Sequence, residues 1–261
     1  MRRTSLFLIA VLVLFILAGP VFGQSLKGMS LNGATGLWNI PSARIGWERT
    51  ADLGINLGYH ALLDDGENAN IPKASVSLFQ LGEISFAYDA QPEDDHNDLI
   101  VGGKFQLPID RASAVAIGFN IQQLEFGGVE EDAQQIYLAA TYPGDFFGMP
   151  AETTVVLGKS FGDPIPDEWI DFGMGFDLLL FPDTLQGYVH WISDFANFAY
   201  SWDPYPRGVI DRGVFNTGIR IDVAANPALS EYMFVIDVLA TDLLDEARSL
   251  GLGIAFGAPI L

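Results

Sequence analysis

The sequence predicts an all-β chain, an antiparallel transmembrane β-barrel of about twelve strands. Three observations carry that prediction. An export signal opens the chain. Apolar residues then alternate with polar or small ones through segment after segment. The last such segment has the pattern of an outer-membrane terminal strand. Composition narrows the rest. The 261 residues carry 13 Lys+Arg against 33 Asp+Glu, a formal net charge of −20, with 49% hydrophobic residues and no Cys. Zero Cys removes disulfides, thiolate metal sites, thiol nucleophiles and lipid anchoring through an N-terminal Cys. The acidic balance argues against nucleic acid as a partner, because phosphate needs Lys and Arg to displace its counterions. The hydrophobic content is too high for a disordered acidic chain.

The first element is the signal. Arg2 and Arg3 precede an unbroken apolar run from Leu6 to Ala18, followed by Gly19-Pro20 and the small-residue site Val21-Phe22-Gly23. A charged region, an apolar region and a cleavage site in that order predict a signal peptide over 1–23. The apolar run is too short for a helix that spans a bilayer, which needs about 20 residues. Residues 24–49 follow as an N-terminal segment, and 50–261 form the barrel.

The strands come next. In Ala51–His60, Leu53, Ile55, Leu57 and Tyr59 share one face while Asp52, Gly54, Asn56, Gly58 and His60 share the other. Val115–Gln122, Ile170–Leu178 and Phe215–Val223 repeat the pattern, with small or polar residues opposite Ile, Phe, Met and Leu. A period of two means a strand with one apolar face. The same alternation marks Ala74–Leu78, Glu83–Asp89, Leu99–Leu107, Gln135–Tyr142, Thr153–Ser160, Gln186–Trp202, Tyr232–Thr241 and Ser249–Phe256. Turn residues divide them, among them Gln80-Leu81-Gly82, Pro108-Ile109-Asp110, Pro182-Asp183 and Asn226-Pro227. No long helix competes, and Asp242–Arg248 has room for one helical turn. Splitting Gln186–Trp202 in two would scramble the order of loops, so twelve strands is the reading and fourteen the alternative.

Two β architectures share this alternation. A soluble sandwich turns its apolar faces inward, whereas a membrane barrel turns them outward to lipid. The barrel is favoured because the non-apolar faces are rich in Gly, Ala, Ser, Asp and Asn, which suit a narrow lumen. Tyr59, Tyr88, Tyr142, Trp169, Tyr200, Trp202, Tyr232 and Phe256 sit near strand ends, as interfacial girdles do. Ser249, Gly251, Ile254 and Phe256 match the polar-x-Gly-x-x-apolar-x-apolar pattern that outer-membrane assembly machinery reads in a terminal strand. Membrane lipid and that machinery are therefore the expected partners, and the bacterial outer membrane the expected location. With the last strand ending inside, the outer loops are expected at about 61–73, 90–98, 123–133, 161–168, 203–213 and 242–248. The acidic groups Asp64-Asp65-Gly66-Glu67, Asp94-Asp95-His96-Asn97-Asp98, Glu130-Glu131-Asp132 and Asp163–Glu168 then fall outside. Divalent cations are candidate partners there, since hard cations want clustered carboxylates.

Residues 28–49 stand outside the wall by strand parity. The segment is expected within the lumen as a short plug, or paired at the barrel seam, with Thr35, Gly36, Leu37, Pro41 and Arg44 as its marked residues. Thr35-Gly36-Leu37 followed by Ile40-Pro41-Ser42-Ala43-Arg44 resembles the segment near the start of YjbH-like proteins. That resemblance implies an outer-membrane β-barrel linked to exopolysaccharide production, and it carries over no catalytic residue.

Chemistry-bearing residues are sparse. His60, His96 and His190 show no metal-ligand spacing, and no His-Glu-x-x-His occurs. No metal, cofactor or catalytic residue is assigned, and an enzyme is not expected. Gly173-Met174-Gly175 and Gly251-Leu252-Gly253 lie inside strands, where Gly relieves crowding. The predicted lumen carries Asp52, Glu83, Asp89, Asp171, Asp177, Asp222 and Asp237 against Lys104 and Arg220. A low-dielectric wall focuses such an imbalance, so an open lumen would prefer cations. A closed or plugged interior is favoured, because these groups can satisfy one another in a small barrel. The function expected is a narrow, cation-preferring pore or a structural envelope component. The alternative is a lipid- or exopolysaccharide-associated barrel of YjbH type.

Overall fold

The computed structural model describes residues 27–47, 51–63, 68–91, 96–109, 112–126, 129–162, 169–201, 209, 212–244 and 249–261. Twelve antiparallel strands close into one barrel, each beside its neighbours in sequence. They are β1 (Leu53–Leu63), β2 (Asn68–Leu78), β3 (Gly82–Gln91), β4 (His96–Gln106), β5 (Ala114–Phe126) and β6 (Val129–Phe146). They continue as β7 (Met149–Phe161), β8 (Asp171–Leu179), β9 (Val189–Ala196), β10 (Val214–Asp222), β11 (Met233–Thr241) and β12 (Ser249–Pro259). A single helical turn, α1 (Pro182–Leu185), lies between β8 and β9. The seam closes where β1 pairs β12, from Gly54 opposite Pro259 to Leu63 opposite Leu250. Closure leaves no strand edge, which is what a sheet in lipid requires.

The alternation decides which face is which. In β3, Glu83, Ser85, Ala87, Asp89 and Gln91 are buried, while Ile84, Phe86 and Tyr88 are 55%, 44% and 38% exposed. In β5, Ala114, Ala116, Asn120 and Gln122 are buried, and Ile117, Phe119 and Ile121 are exposed. The inversion continues around the barrel through Leu138, Met174, Trp191, Ile219, Val238 and Leu252. A continuous exposed apolar band of this extent is what lipid, and not water, accommodates.

Five connections share one end with the start of β1 and the end of β12: 79–81, 107–113, 147–148, 180–188 and 223–232. This is called the turn end below, and the opposite side the loop end. Phe79, Phe147 and Phe181 stand exposed at the turn end, each with a left-handed backbone, at φ 53°, 55° and 43°. Tyr59, Tyr88, Trp169, Tyr232 and Phe256 are exposed near strand ends, and Tyr232 stacks on Phe256. Tyr200 departs from the expected girdle because it is buried in the interior. Trp202 lies outside the described residues, as do the signal region 1–23 and the acidic stretches 64–67, 93–95 and 163–168.

Several expected boundaries move. β1 runs on through Leu63, β2 starts at Asn68, and β5 and β6 meet across 127–128. Glu130-Glu131-Asp132 therefore belong to β6 rather than to an outer loop. The gap between the expected strands Gln135–Tyr142 and Thr153–Ser160 narrows to a turn at Phe147-Gly148, with Gly148 at φ 79°. The long strand expected over Gln186–Trp202 is only β9, Val189–Ala196. Gln186 and Gly187 take left-handed φ values of 51° and 84° and end α1 ahead of it. Past Ala196 the chain leaves the wall, and Phe198, Ala199, Tyr200 and Ser201 are buried inside. Their apolar character reflects burial in the lumen, which period-two counting reads as strand.

Replacing Leu138, outward at the middle of β6, by Arg is expected to cost about 2–4 kcal/mol of folding stability in lipid. Urea titration of folding into vesicles measures it. Asp132→Lys, at the exposed end of the same strand, is expected to stay within about 0.5 kcal/mol.

Candidate functional site

The interior is filled by residues 27–47, which enter and leave at the turn end. Lys27 Nζ lies 3.0 Å from Asp222 Oδ2, where β10 ends. Trp47 donates its indole N–H to Asn56 Oδ1 at 2.8 Å, near the start of β1. Between them residues 28–45 are buried throughout. The local fold follows from the turn residues. Asn32 Oδ1 accepts from Ser30 Oγ at 2.6 Å and from the Ala34 N–H at 3.2 Å. Gly33 follows at φ 84°, where a Cβ would stand 2.5 Å from the Phe86 carbonyl oxygen. An Asn-Gly pair suits such a turn because both tolerate local, left-handed geometry. Short bridges join Met29 to Thr35 and Gly36 to Pro41.

The wall holds this finger through charged side chains. Glu83 on β3 and Lys104 on β4 face each other at 3.2 Å, both inaccessible to solvent. Glu83 accepts the N–H of Thr35 at 2.7 Å and of Gly46 at 3.0 Å, and the Thr35 hydroxyl. Lys104 Nζ donates to the carbonyls of Thr35, Ser42 and Arg44 at 3.0, 3.1 and 2.7 Å. Opposite, Asp194 Oδ2 accepts from the N–H groups of Asn39 and Ile40 at 2.7 and 3.3 Å. Arg44 reaches Glu152 on β7 at 2.8 Å. Arg220 binds Asp237 through two bonds of 2.8 Å and also donates to the carbonyls of Lys27 and Gly36. Each of these ions is buried, and the cost of burial is offset by a partner and by backbone groups that would otherwise be unsatisfied.

Apolar side chains of the finger seat over glycines of the wall. An added Cβ would meet Ile40 Cγ2 at 2.8 Å from Gly173, Leu37 Cδ1 at 2.5 Å from Gly175, and Trp38 Cζ2 at 2.6 Å from Gly251. Trp38 also stacks on His60, with ring centroids 4.2 Å apart and planes 4° from parallel. Gly173, Gly175 and Gly251 are thus notches for these side chains, while Gly253 makes room for His60 of the wall.

A second element descends from the loop end. Asn39 Nδ2 donates to the Phe198 carbonyl at 2.8 Å, where residues 197–201 meet the finger. Tyr200 donates to Gln135 Oε1 at 2.6 Å and accepts from Asn120 Nδ2 at 3.0 Å. Gln135 and Ser160 in turn donate to Asp171 Oδ2 at 2.8 and 2.6 Å. Finger and loop enter the barrel from opposite ends and meet at Asn39 and Phe198.

The structure separates the residues that the sequence marked. Glu83, Lys104, Arg220, Asp222 and Asp237 meet the finger or its direct partners. Asp177 pairs with His190 and approaches Arg220 at 3.7 Å. Asp89 and Asp171 lie in the loop-end half, buried. Asp52 instead precedes β1, is exposed at the rim and accepts from Gln80 at 3.0 Å. Of the terminal-strand residues, Ser249 and Gly251 face inward while Ile254 and Phe256 face lipid. Sequence reasoning missed Lys73, Asp98, Glu152 and Asp194. Lys73 and Asp98 fell in expected loops, Glu152 one residue before an expected strand, and Asp194 inside the expected strand Gln186–Trp202. The signal that finds the first three is strand length, since each continues the inward parity of its strand, and for Asp194 it is its parity with His190 within β9. Among the described residues no group of three His, Asp or Glu side chains is placed to hold a metal ion.

No protein-family model and no curated protein matches the sequence, so membership of the YjbH-like family is not shown. Solved structures do match. The KdgM porin superposes with a TM-score of 0.51 at 7% identity, covering 79% of this chain and 99% of the porin. The KdgM porin in complex with disordered oligogalacturonate gives a TM-score of 0.51 at 8% identity with the same coverage. The NanC porin gives 0.49 at 10% identity, covering 80% of this chain and 100% of its own. The likeness to KdgM shows the fold, that of an outer-membrane porin barrel.

Gly173→Ala is expected to destabilise the protein by about 1–3 kcal/mol, because the new methyl overlaps Ile40 with little else in the way. Combining it with Ile40→Ala is expected to cost less than the sum of the two single changes. Thermal unfolding in detergent of the four proteins of that cycle measures the coupling.

Proposed function

We propose that the protein is an outer-membrane pore of the porin type whose resting state is closed by its own N-terminal finger. The observation that carries this reading is the burial of residues 28–45 inside the barrel, bonded to side chains from one strand after another. When the finger leaves, the lumen left behind favours cations. Among the described residues, nine wall carboxylates are buried against three wall Lys or Arg side chains. The finger itself contributes Lys27 and Arg44, so its departure makes the interior more acidic. A low-dielectric wall focuses that field and raises the local cation concentration. The oligogalacturonate named with KdgM is a chain of uronic acids, and this wall would repel it. Placement in the outer membrane is supported by the lipid-facing band and by the porin-like fold.

Planar-bilayer recording of the full chain tests the reading. The wild-type protein is expected to open rarely. Arg44→Ala removes an ion-pair partner of the buried Glu152 in the closed state, a loss that hydration makes good in the open one. Breaking a buried pair costs about 3–5 kcal/mol, so the closed-to-open ratio is expected to fall at least about a hundredfold. Openings should carry K⁺ over Cl⁻. Asp171→Asn, which keeps acceptor geometry for Gln135 and Ser160, is expected to reduce that preference. Anion-selective openings, or none from Arg44→Ala at any voltage, would overturn the proposal.

A further inference from the structure

We infer that the emptied lumen is a binding site for short peptides, which are then the solute class this pore engages. The inference rests on the pore reading and adds the ligand's chemistry. Most of what the wall recognises in the finger is main chain. Glu83 and Asp194 take backbone N–H groups, of Thr35, Gly46, Asn39 and Ile40. Lys104, Lys73 and Arg220 take backbone carbonyls, with Lys73 on Ser30 at 2.9 Å. Main-chain groups are common to all peptides, so nothing in these bonds is particular to this finger.

The arrangement also matches a peptide better than other polar chains. Carboxylates only accept and ammonium or guanidinium groups only donate. Glu83 and Lys104 stand side by side, 3.2 Å apart, and present both roles to one stretch of chain. A peptide offers dedicated donors and acceptors in alternation, and the glycine notches at Gly173, Gly175 and Gly251 admit apolar side chains. A polyanion meets the excess of wall carboxylates. A neutral or cationic peptide does not carry that penalty.

The test uses the full chain bearing Arg44→Ala in planar bilayers, with W38A as a second opened variant should the first fail to fold. Three compounds are added in turn. They are an acetylated, amidated hexapeptide of Leu, Gly and Lys, its fully N-methylated analogue, and the neutral oligosaccharide maltohexaose. The hexapeptide is expected to shorten openings in proportion to its concentration. N-methylation removes the N–H donors, so its half-blocking concentration is expected to rise at least about tenfold, as it does for the parent peptide when Glu83→Gln is added. Maltohexaose is expected to leave openings unchanged. Equal block by the analogue or by maltohexaose overturns the inference, and so does an open channel that no peptide blocks, with the pore reading intact. A channel that neither variant opens overturns the pore reading and the inference together.

Discussion

A strand that crosses lipid must bond its backbone to neighbouring strands and turn its apolar side chains outward. In this chain that requirement places Glu83, Lys104, Asp194, Arg220 and Asp237 inside a twelve-stranded barrel, where each is buried. An ion buried alone is costly, so the interior must supply partners. Glu83 and Lys104 show how it does so. They neutralise each other across β3 and β4, and their remaining bonding capacity goes to the main chain of residues 35–46. The finger therefore takes up hydrogen-bonding capacity that the wall's ions leave over, and the wall in turn satisfies main-chain groups that the finger's own turns leave open.

The same dependence links packing to dynamics. The finger has little regular structure, and both its ends emerge at the turn end beside Asp222 and Asn56. Its bridges are internal to it, so the proposed departure unpairs no strand of the barrel. What opposes departure is a set of buried ion pairs and seated side chains, with Arg44 on Glu152 and Trp38 on His60 among them. Those ion pairs lose their value once water enters, because hydration then satisfies each charge separately. The loop segment at Phe198 and Tyr200 braces the tip from the other side. On the proposed reading, a closed state built in this way is separable from the fold that contains it.

Much of the fold was legible because lipid imposes a simple code. Alternation identified the strands, and the register at the seam agrees with twelve. Inward parity placed Glu83, Lys104, Arg220 and Asp237 on one surface. The failures have two physical origins. Strand ends were judged by apolar content, but polar residues such as Lys73 and Asp98 continue an inward face past the apolar band. Counting thus cut strands short and lost the charges at their ends. At Gln186–Trp202 the opposite error occurred, since Phe198 and Tyr200 are apolar for lumen burial rather than for lipid.

Sequence alone determined the class of architecture, the strand number and the two faces of the wall, because those depend on residue type at period two. It also marked residues 28–49 as excluded from the wall, by parity. Tertiary structure decided where that excluded segment goes and which wall group each of its atoms meets. Pairs such as Asp194 with Asn39, or Gly173 with Ile40, join residues more than 130 positions apart. No local pattern encodes such a pair. It exists only once the barrel has closed, its shear has brought distant strands to one level, and the interior has left a single space for the chain to fill.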